Sequence, residues 1–380
     1  MSNLEVRISK LLEPADIRLV DPRDPNARPW DVRIHNPNVY SKVLGYGSVG
    51  AGESYMSGDW DADDLPELFF RAIRFGVFDK IKYAGMLGYA LQARLSNMQS
   101  GRRAFQVGES HYDLGNDFYK AWLDPWMMYT CGYTGHGAKT LDQAQEDKLQ
   151  LSCEKLQLRP GQKLLEIGCG WGGFLKYAAE RYGVSCVGIT ISREQADYAR
   201  EWCKGLPVEI RVQDYRETTG SFDKIVSMGM LEHVGFKNYP TYMCKARSLI
   251  KDDGLFLLHC IGSRNTVWTG DAWFHKYIFR NGMLPSVAQL GKAMNNLFIM
   301  EDWHNFGADY PMTLRGWREN FVRVWPQLEA EYGHRAGGMF YRMWIYYLAS
   351  MEGAFRARQN QLWQMVFSPR GVVGGYRPVR

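Results

Sequence analysis

The segment LLEIGCGWGGFLKYAAE carries the clearest chemistry in the chain. Glu166, Gly168, Gly170, Gly172 and Gly173 fall there between an apolar run and a stretch of helical periodicity. Glycine lets the backbone turn sharply and leaves no Cβ between a ligand and the first N–H groups of the helix that follows. A glycine-rich loop by itself fits either a nucleotide site or plain turn chemistry. Two later segments, QDYR (Gln213 to Arg216) and FDKIVSMGMLEHVG (Phe222 to Gly235), carry polar groups suited to holding the same ligand. Their order and spacing fit one crevice at the carboxyl ends of parallel strands.

The elements that must position these groups alternate along the chain. KLLEIG, SCVGIT, VEIRVQ, DKIVSM and LFLLHC are apolar runs of strand length separated by helical segments, beginning after an amphipathic helix over Ala144 to Leu156 that Arg159-Pro160-Gly161 closes. Near-continuous apolar strands belong to a parallel sheet covered on both faces, which predicts a doubly wound, mainly parallel α/β domain. The first 95 or so residues read as a small mixed unit. Strands are expected at Ile17 to Val20 and Val32 to His35, and helices at Asn38 to Leu44 and Leu65 to Phe75. The glycines and aspartates of GYGSVGAGESYMSGDWDADD mark loops. A polar, basic linker at 96–110 separates this unit from a catalytic domain over 111–380.

Composition bounds the function classes. With 380 residues, 46% hydrophobic and 23% charged, the chain is an ordinary globular protein. A net charge of 46 − 41 = +5 is too weak to indicate nucleic acid and is compatible with an anionic membrane surface. Seven cysteines without a CxxC pair suggest neither a disulfide framework nor a metal site, and a reducing cytoplasm is the simplest home. No apolar run approaches the ~20 residues that span a bilayer, so a soluble or peripheral protein is expected. The 13 Trp and 22 Tyr exceed what a minimal core needs and point to rings around a pocket.

The acidic Glu166 inside its strand and the spacing E-x-G-x-G-x-G resemble motif I of S-adenosylmethionine-dependent methyltransferases and depart from the nicotinamide pattern G-x-G-x-x-G. That resemblance implies a seven-stranded methyltransferase sheet with Asp214 and Tyr215 near the adenine. Many methyltransferases end the second strand in an acid that grips the ribose. Here Thr190 stands near that end, leaving Gln195 as the nearest candidate for ribose contacts.

GSVGAGESYMSGDWD, HYDLGNDFY, MYTCGYT, LLEIGCGWGG, GMLEHVG, HCIGS, KYIFRNGMLPS, EDWHNFGADY and GAFRARQNQLWQMVF together resemble the cyclopropane-fatty-acyl-phospholipid synthase family, related to the mycolic acid cyclopropane synthases. The resemblance implies transfer of a methylene from S-adenosylmethionine to a cis double bond of unsaturated phospholipid acyl chains. It places Tyr129 and Thr130 among the cofactor contacts and implies a homodimer in peripheral contact with the membrane, with no nucleic-acid partner. An alkene is a weak nucleophile, so the site must hold methyl and π-bond at near-attack distance in a dry pocket. Positive charge then appears on the alkyl chain, where aromatic faces stabilise it. Tyr112, Phe118, Tyr119, Trp122, Trp126, Tyr129 and Tyr133 supply candidate rings, about half of them expected to be ordinary core.

Ring closure needs a base, which the resemblance implies is a bound bicarbonate caged by Cys131, Glu232, His259, the Ile261 backbone and Tyr310. Taken alone, Cys131 reads as a small buried hydrophobe and His259 and Tyr310 as fold support; only the family match reverses that. Where family members often carry a cysteine before GAFRAR, this chain has Met351, which excludes a covalent mechanism at that position. A fatty acyl C-methyltransferase giving methyl or methylene branches is the neighbouring alternative, and an inactive lipid-binding protein the remote one. In the N-terminal unit, Arg71, Arg74, Lys80 and Lys82 around Phe69, Phe70, Phe75 and Phe78 form a basic, aromatic helix that fits either a membrane surface or packing against protein.

Overall fold

A computed structural model describes residues 2–80 and 114–380. The expected linker at 96–110, His111 to Asp113 of the HYDLGNDFY motif and Lys82 lie outside the described residues.

The chain forms two compact units. The first gathers the described N-terminal residues with Thr269–Arg280 and Leu314–Asn360, so segments expected in the catalytic domain pack instead with the N-terminal unit. Its small sheet runs β1 (Leu19–Val20), β2 (Val32–Ile34), β3 (Trp60–Asp61), the first pair parallel and the second antiparallel. Helix Leu65–Arg74 starts at Asp64, whose carboxylate accepts from the Glu67 N–H. It lies so close to helix Phe340–Arg356 that a Cβ at Gly353 would stand 2.5 Å from Phe69 Cβ. Arg356 pairs with Glu67 across the same seam.

One expectation fails in this unit. GSVGAGESYM contains the helix Ser48–Met56, not a loop. A Cβ at Gly50 would meet the Lys42 carbonyl oxygen at 2.0 Å, and one at Gly52 the Trp273 indole at 2.3 Å. These glycines permit close packing, whereas Gly47 and Gly58, at φ 58° and 78°, make turns.

Of the four phenylalanines, Phe69 is buried against Tyr346 and Phe70 lies under the Arg356 guanidinium. Phe75 and Phe78 are exposed, beside the exposed Arg74 and Lys80. Arg71 is engaged by Glu67 and Asp16 and stacks over Trp30. Helix Asn3–Leu12, bearing exposed Leu4 and Val6, packs against Val77–Lys80.

The second unit is built on a seven-stranded sheet: β4 (Lys163–Ile167), β5 (Ser185–Thr190), β6 (Val208–Val212), β7 (Phe222–Met228), β8 (Ile250–Ser263), β9 (Ile299–Asn305) and β10 (Asn360–Ser368). The order is β6-β5-β4-β7-β8-β10-β9, parallel from β6 to β8, with β9 antiparallel to β10. Side chains alternate between the two faces of a strand. Leu165, Ile167, Ile225, Phe256 and Leu258 therefore enter one core, and Leu164, Val226, Leu255 and Leu257 the other. The strand order reverses at β4, and its carboxyl end is where a crevice opens. No helix among the described residues is long and apolar enough to cross a membrane.

Candidate active site

β4 ends in the glycine loop. Gly168, Gly170 and Gly172 have φ of 83°, 51° and 85°, in the left-handed region. The N–H groups of Gly168 and Cys169 both donate to the Ile189 carbonyl at 2.9 Å, tying the loop to β5. A Cβ at Gly168 would press on Met230 at 2.7 Å, and one at Gly173 on the Trp126 carbonyl oxygen at 1.9 Å. At Gly170 a Cβ would meet no protein atom within 4 Å, because the space beyond it belongs to a cavity.

That cavity is lined by Tyr129, Thr130, Glu166, Gly168, Gly170, Thr190, Gln195, Asp214 and Tyr215 among the sequence-derived candidates. Gly172 is not in the lining; it is the N-cap of helix Gly173–Tyr182, with a would-be Cβ 3.1 Å from Ala199. Thr190 donates to Gln195 Oε1 at 3.2 Å and accepts from the Ser192 N–H, so the end of β5 presents a neutral hydroxyl–amide pair in place of an acid. Asp214 accepts from the Arg216 N–H and its guanidinium. Trp171, Ser192 and Met230 also line the cavity and were not singled out from the sequence. The tryptophan inside GCGWGG was the readable signal.

Among the described aromatic candidates only Tyr129 lines the cavity. Tyr119 and Trp122 pack behind it, each with its ring centroid 5.6 Å from that of Tyr129, and Phe118 behind them. Trp126 turns away onto Tyr177. Tyr112 lies outside the described residues.

Glu166 is buried and its Oε2 has no hydrogen-bond partner. Burial pushes its carboxyl up to about 8 against the opposing pull of Lys148. Lys148 is itself wholly buried, donates to Thr130 Oγ1 at 2.8 Å, and is lowered to about 8 by burial. An open cradle at Gly170, an unpartnered carboxylate oxygen and the hydroxyl–amide pair at β5 fit a nucleoside ligand that carries positive charge.

The second group of candidates sits on the carboxyl ends of β7 and β8 and on two segments facing them. Glu232 follows β7 in the turn Leu231–His233 and accepts from the Ile261 N–H at 2.7 Å through Oε1, while its Oε2 is buried without a partner. Burial pushes its carboxyl up to about 7. The Ile261 N–H, expected to face an anion, is thus engaged by Glu232. His259 is buried, its Nδ1 lies 3.3 Å from Gln364 Nε2, and its Nε2 has no partner. Burial, then Lys148 and Lys155, hold it well below the usual histidine range, so it is neutral. Cys131 is buried and its thiol raised well above normal, first by burial. The residues after it are pinned to the start of helix Tyr310–Tyr332: the Gly132 N–H donates to Thr313 Oγ1 at 3.0 Å and the Thr134 N–H to Asp309 at 2.8 Å. Tyr310 begins that helix and is buried. Ring contacts from Tyr133 to Phe306 (5.2 Å) and Phe306 to His259 (5.8 Å) connect the two sides. A buried carboxyl raised to about 7, a neutral imidazole and a thiol too basic to ionise suit proton transfer better than thiolate attack.

The mycolic acid cyclopropane synthetase family model matches residues 99–365. The chain is 50% identical over 360 residues to the cyclopropane-fatty-acyl-phospholipid synthase of Escherichia coli, covering 93% of this chain and 91% of the relative. It is 36% identical to a probable fatty acid methyltransferase of Mycobacterium tuberculosis over 73% of this chain and 67% of the relative. Among solved structures, a mycolic acid cyclopropane synthase complexed with S-adenosylhomocysteine and CTAB superposes at a TM-score of 0.64 with 28% identity, covering 69% of this chain and 97% of that one.

Proposed function

This chain belongs to the mycolic acid cyclopropane synthetase family and is an S-adenosylmethionine-dependent methyltransferase, and on that premise we propose that it forms cyclopropane rings on unsaturated acyl chains of membrane phospholipids. The observation that carries the phospholipid reading is the similarity over 93% of the chain, N-terminal unit included, to a relative of that name.

S-adenosylmethionine, when bound, supplies an electrophilic methyl group. Glu166 and the Gly168–Gly170 backbone would hold its methionine and ribose end, Thr190 and Gln195 the ribose hydroxyls, and Asp214 and Tyr215 the adenine. Tyr129 and Trp171 exclude water from the reacting face and offer π-density to the cationic acyl chain. A bicarbonate ion, if bound here, would supply the base; His259 and Tyr310 would donate to it, Cys131 would close the cage, and Glu232 Oε2 would accept from its hydroxyl.

The decisive experiment incubates the protein with vesicles of unsaturated phospholipid and methyl-labelled cofactor, followed by proton NMR of the lipids. Upfield cyclopropyl protons are expected. Methyl-branched or methylene products would favour the second reading, a fatty acyl C-methyltransferase, for which the similarity to the mycobacterial relative speaks.

The enzyme acts as a peripheral protein on the cytoplasmic membrane face. Exposed Phe75 and Phe78 with Arg74 and Lys80 supply an apolar and cationic contact. At about 1 kcal/mol per basic residue, binding to anionic vesicles should weaken severalfold between low and high salt. Phe75→Ser with Phe78→Ser should lower what remains. Equal sedimentation with neutral and anionic vesicles at every ionic strength would rule this contact out.

A further inference from the structure

Helix Leu141–Lys155 buries Gln145, Lys148, Ser152 and Lys155 completely, at spacings of three, four and three residues. That is the spacing of one helical face. Polar groups so placed cost free energy unless each is satisfied. Two of them hold Thr130, which lines the cavity. Gln145 donates to the Thr130 carbonyl at 2.8 Å, Lys148 to the Thr130 hydroxyl at 2.8 Å, and Lys155 lies 3.0 Å from His304 Nδ1.

Ser152 does something different. Its hydroxyl donates to the Lys148 carbonyl at 2.7 Å, four residues back, which leaves its oxygen to accept. The group facing that oxygen is Gln364 Nε2 at 3.0 Å, from β10. Turning the amide over would leave Ser152 to donate to two acceptors at once with one proton. The Gln364 amide is therefore oriented, and its second N–H is directed at His259 Nδ1, 3.3 Å away.

We propose that Ser152 and Gln364 are positioning residues that fix the tautomer of His259, making Nδ1 the acceptor and Nε2–H a donor directed into the catalytic site. The idea rests on the reading of His259 as a donor to a bound anion. The unpartnered, fully buried Nε2 is the atom that would make that bond. A buried histidine with the opposite tautomer would present a lone pair to the anion and repel it. Lys148 and Lys155 on the same helix add positive charge around the ring. One face of the helix thus both holds Thr130 toward the cofactor and sets the proton on His259.

The test reads the tautomer directly. In protein labelled with 15N histidine, the ring signals of His259 are assigned by their loss in His259→Asn, and proton attachment is read without substrate or carbonate. The wild type should carry its proton on Nε2. In Gln364→Glu the carboxylate accepts from Nδ1–H, so the tautomer should reverse, turnover should fall about 100-fold and affinity for S-adenosylhomocysteine should hold. Ser152→Ala, which frees the amide to turn over, should give a mixture of tautomers and an intermediate rate. A proton on Nδ1 in the wild type overturns the proposal, and this reading stands even if Gln364→Glu does not fold. Retention of Nε2–H or of full turnover in a folded Gln364→Glu also overturns it. A reversed tautomer with lost turnover, in an enzyme whose wild-type rate ignores carbonate, would keep the positioning role and remove only the anion reading of His259.

Discussion

Replacing Glu232 with glutamine is expected to lower turnover by about 100- to 10,000-fold while leaving cofactor affinity almost intact. The amide keeps the shape and can still accept from the Ile261 N–H, but the buried, unpartnered Oε2 that would take a proton is gone. The pH dependence follows from the carboxyl being raised by burial to about 7. Only the ionised form accepts a proton, so the wild-type rate should climb through about pH 7, and the residual rate of the variant should lack that limb. The effect on stability has the opposite sense. A folded-state pKa above the ordinary value of 4.5 means that proton binding favours the fold: the contribution is complete below that value and lost as pH rises through about 7. At pH 8 the wild type therefore carries an ionisation cost of about 3 kcal/mol that glutamine lacks. Glu232→Gln should melt no lower than the wild type at pH 8, which separates lost chemistry from lost fold. Depleting carbonate should slow the wild type and not the variant. Full cyclopropanation by Glu232→Gln in carbonate-free buffer would remove both Glu232 and the anion from the base role and leave His259 or Tyr310 to act directly.

Gly170→Val should weaken binding of S-adenosylhomocysteine by at least about 100-fold, about 2.7 kcal/mol. A Cβ at this position meets no protein atom within 4 Å, so the valine methyls are directed into the cavity that the cofactor would fill. The backbone there has φ 51°, and any L-residue pays about 1–2 kcal/mol to adopt it, a β-branched one most. Gly170→Ala separates the two effects, since it shares the backbone strain but reaches less far into the cavity. Calorimetry should place the alanine variant between wild type and valine in affinity, with a smaller fall in melting temperature than valine gives. Gly173→Ala is the contrasting case: its Cβ would lie 1.9 Å from the Trp126 carbonyl oxygen, so it should lose stability before affinity. Near-normal binding of S-adenosylhomocysteine by Gly170→Val would defeat the assignment of this loop to the cofactor.

Local periodicity and local spacing made one part of this fold legible in the amino-acid sequence. The apolar runs from Lys163 to Cys260 became the parallel strands β4 to β8, because a strand buried on both faces has no polar side to interrupt it. The glycine loop was legible because it requires left-handed backbone at fixed positions beside a helix start. Tertiary structure decided the rest. β9 and β10 carry mixed polar and apolar residues, and their places, β10 between β8 and β9 and β9 at the sheet edge, are set by partners far away in the chain. Gly50 and Gly52 suggested a loop until Lys42 and Trp273 were seen to press on them. The buried polar face of helix Leu141–Lys155 is the clearest instance. Ser152 meets Gln364 across 212 residues and Lys155 meets His304 across 149. Periodicity tells which side of an element faces inward, but whether a polar group there is tolerated, and what it does, depends on the distant group that completes its hydrogen bond.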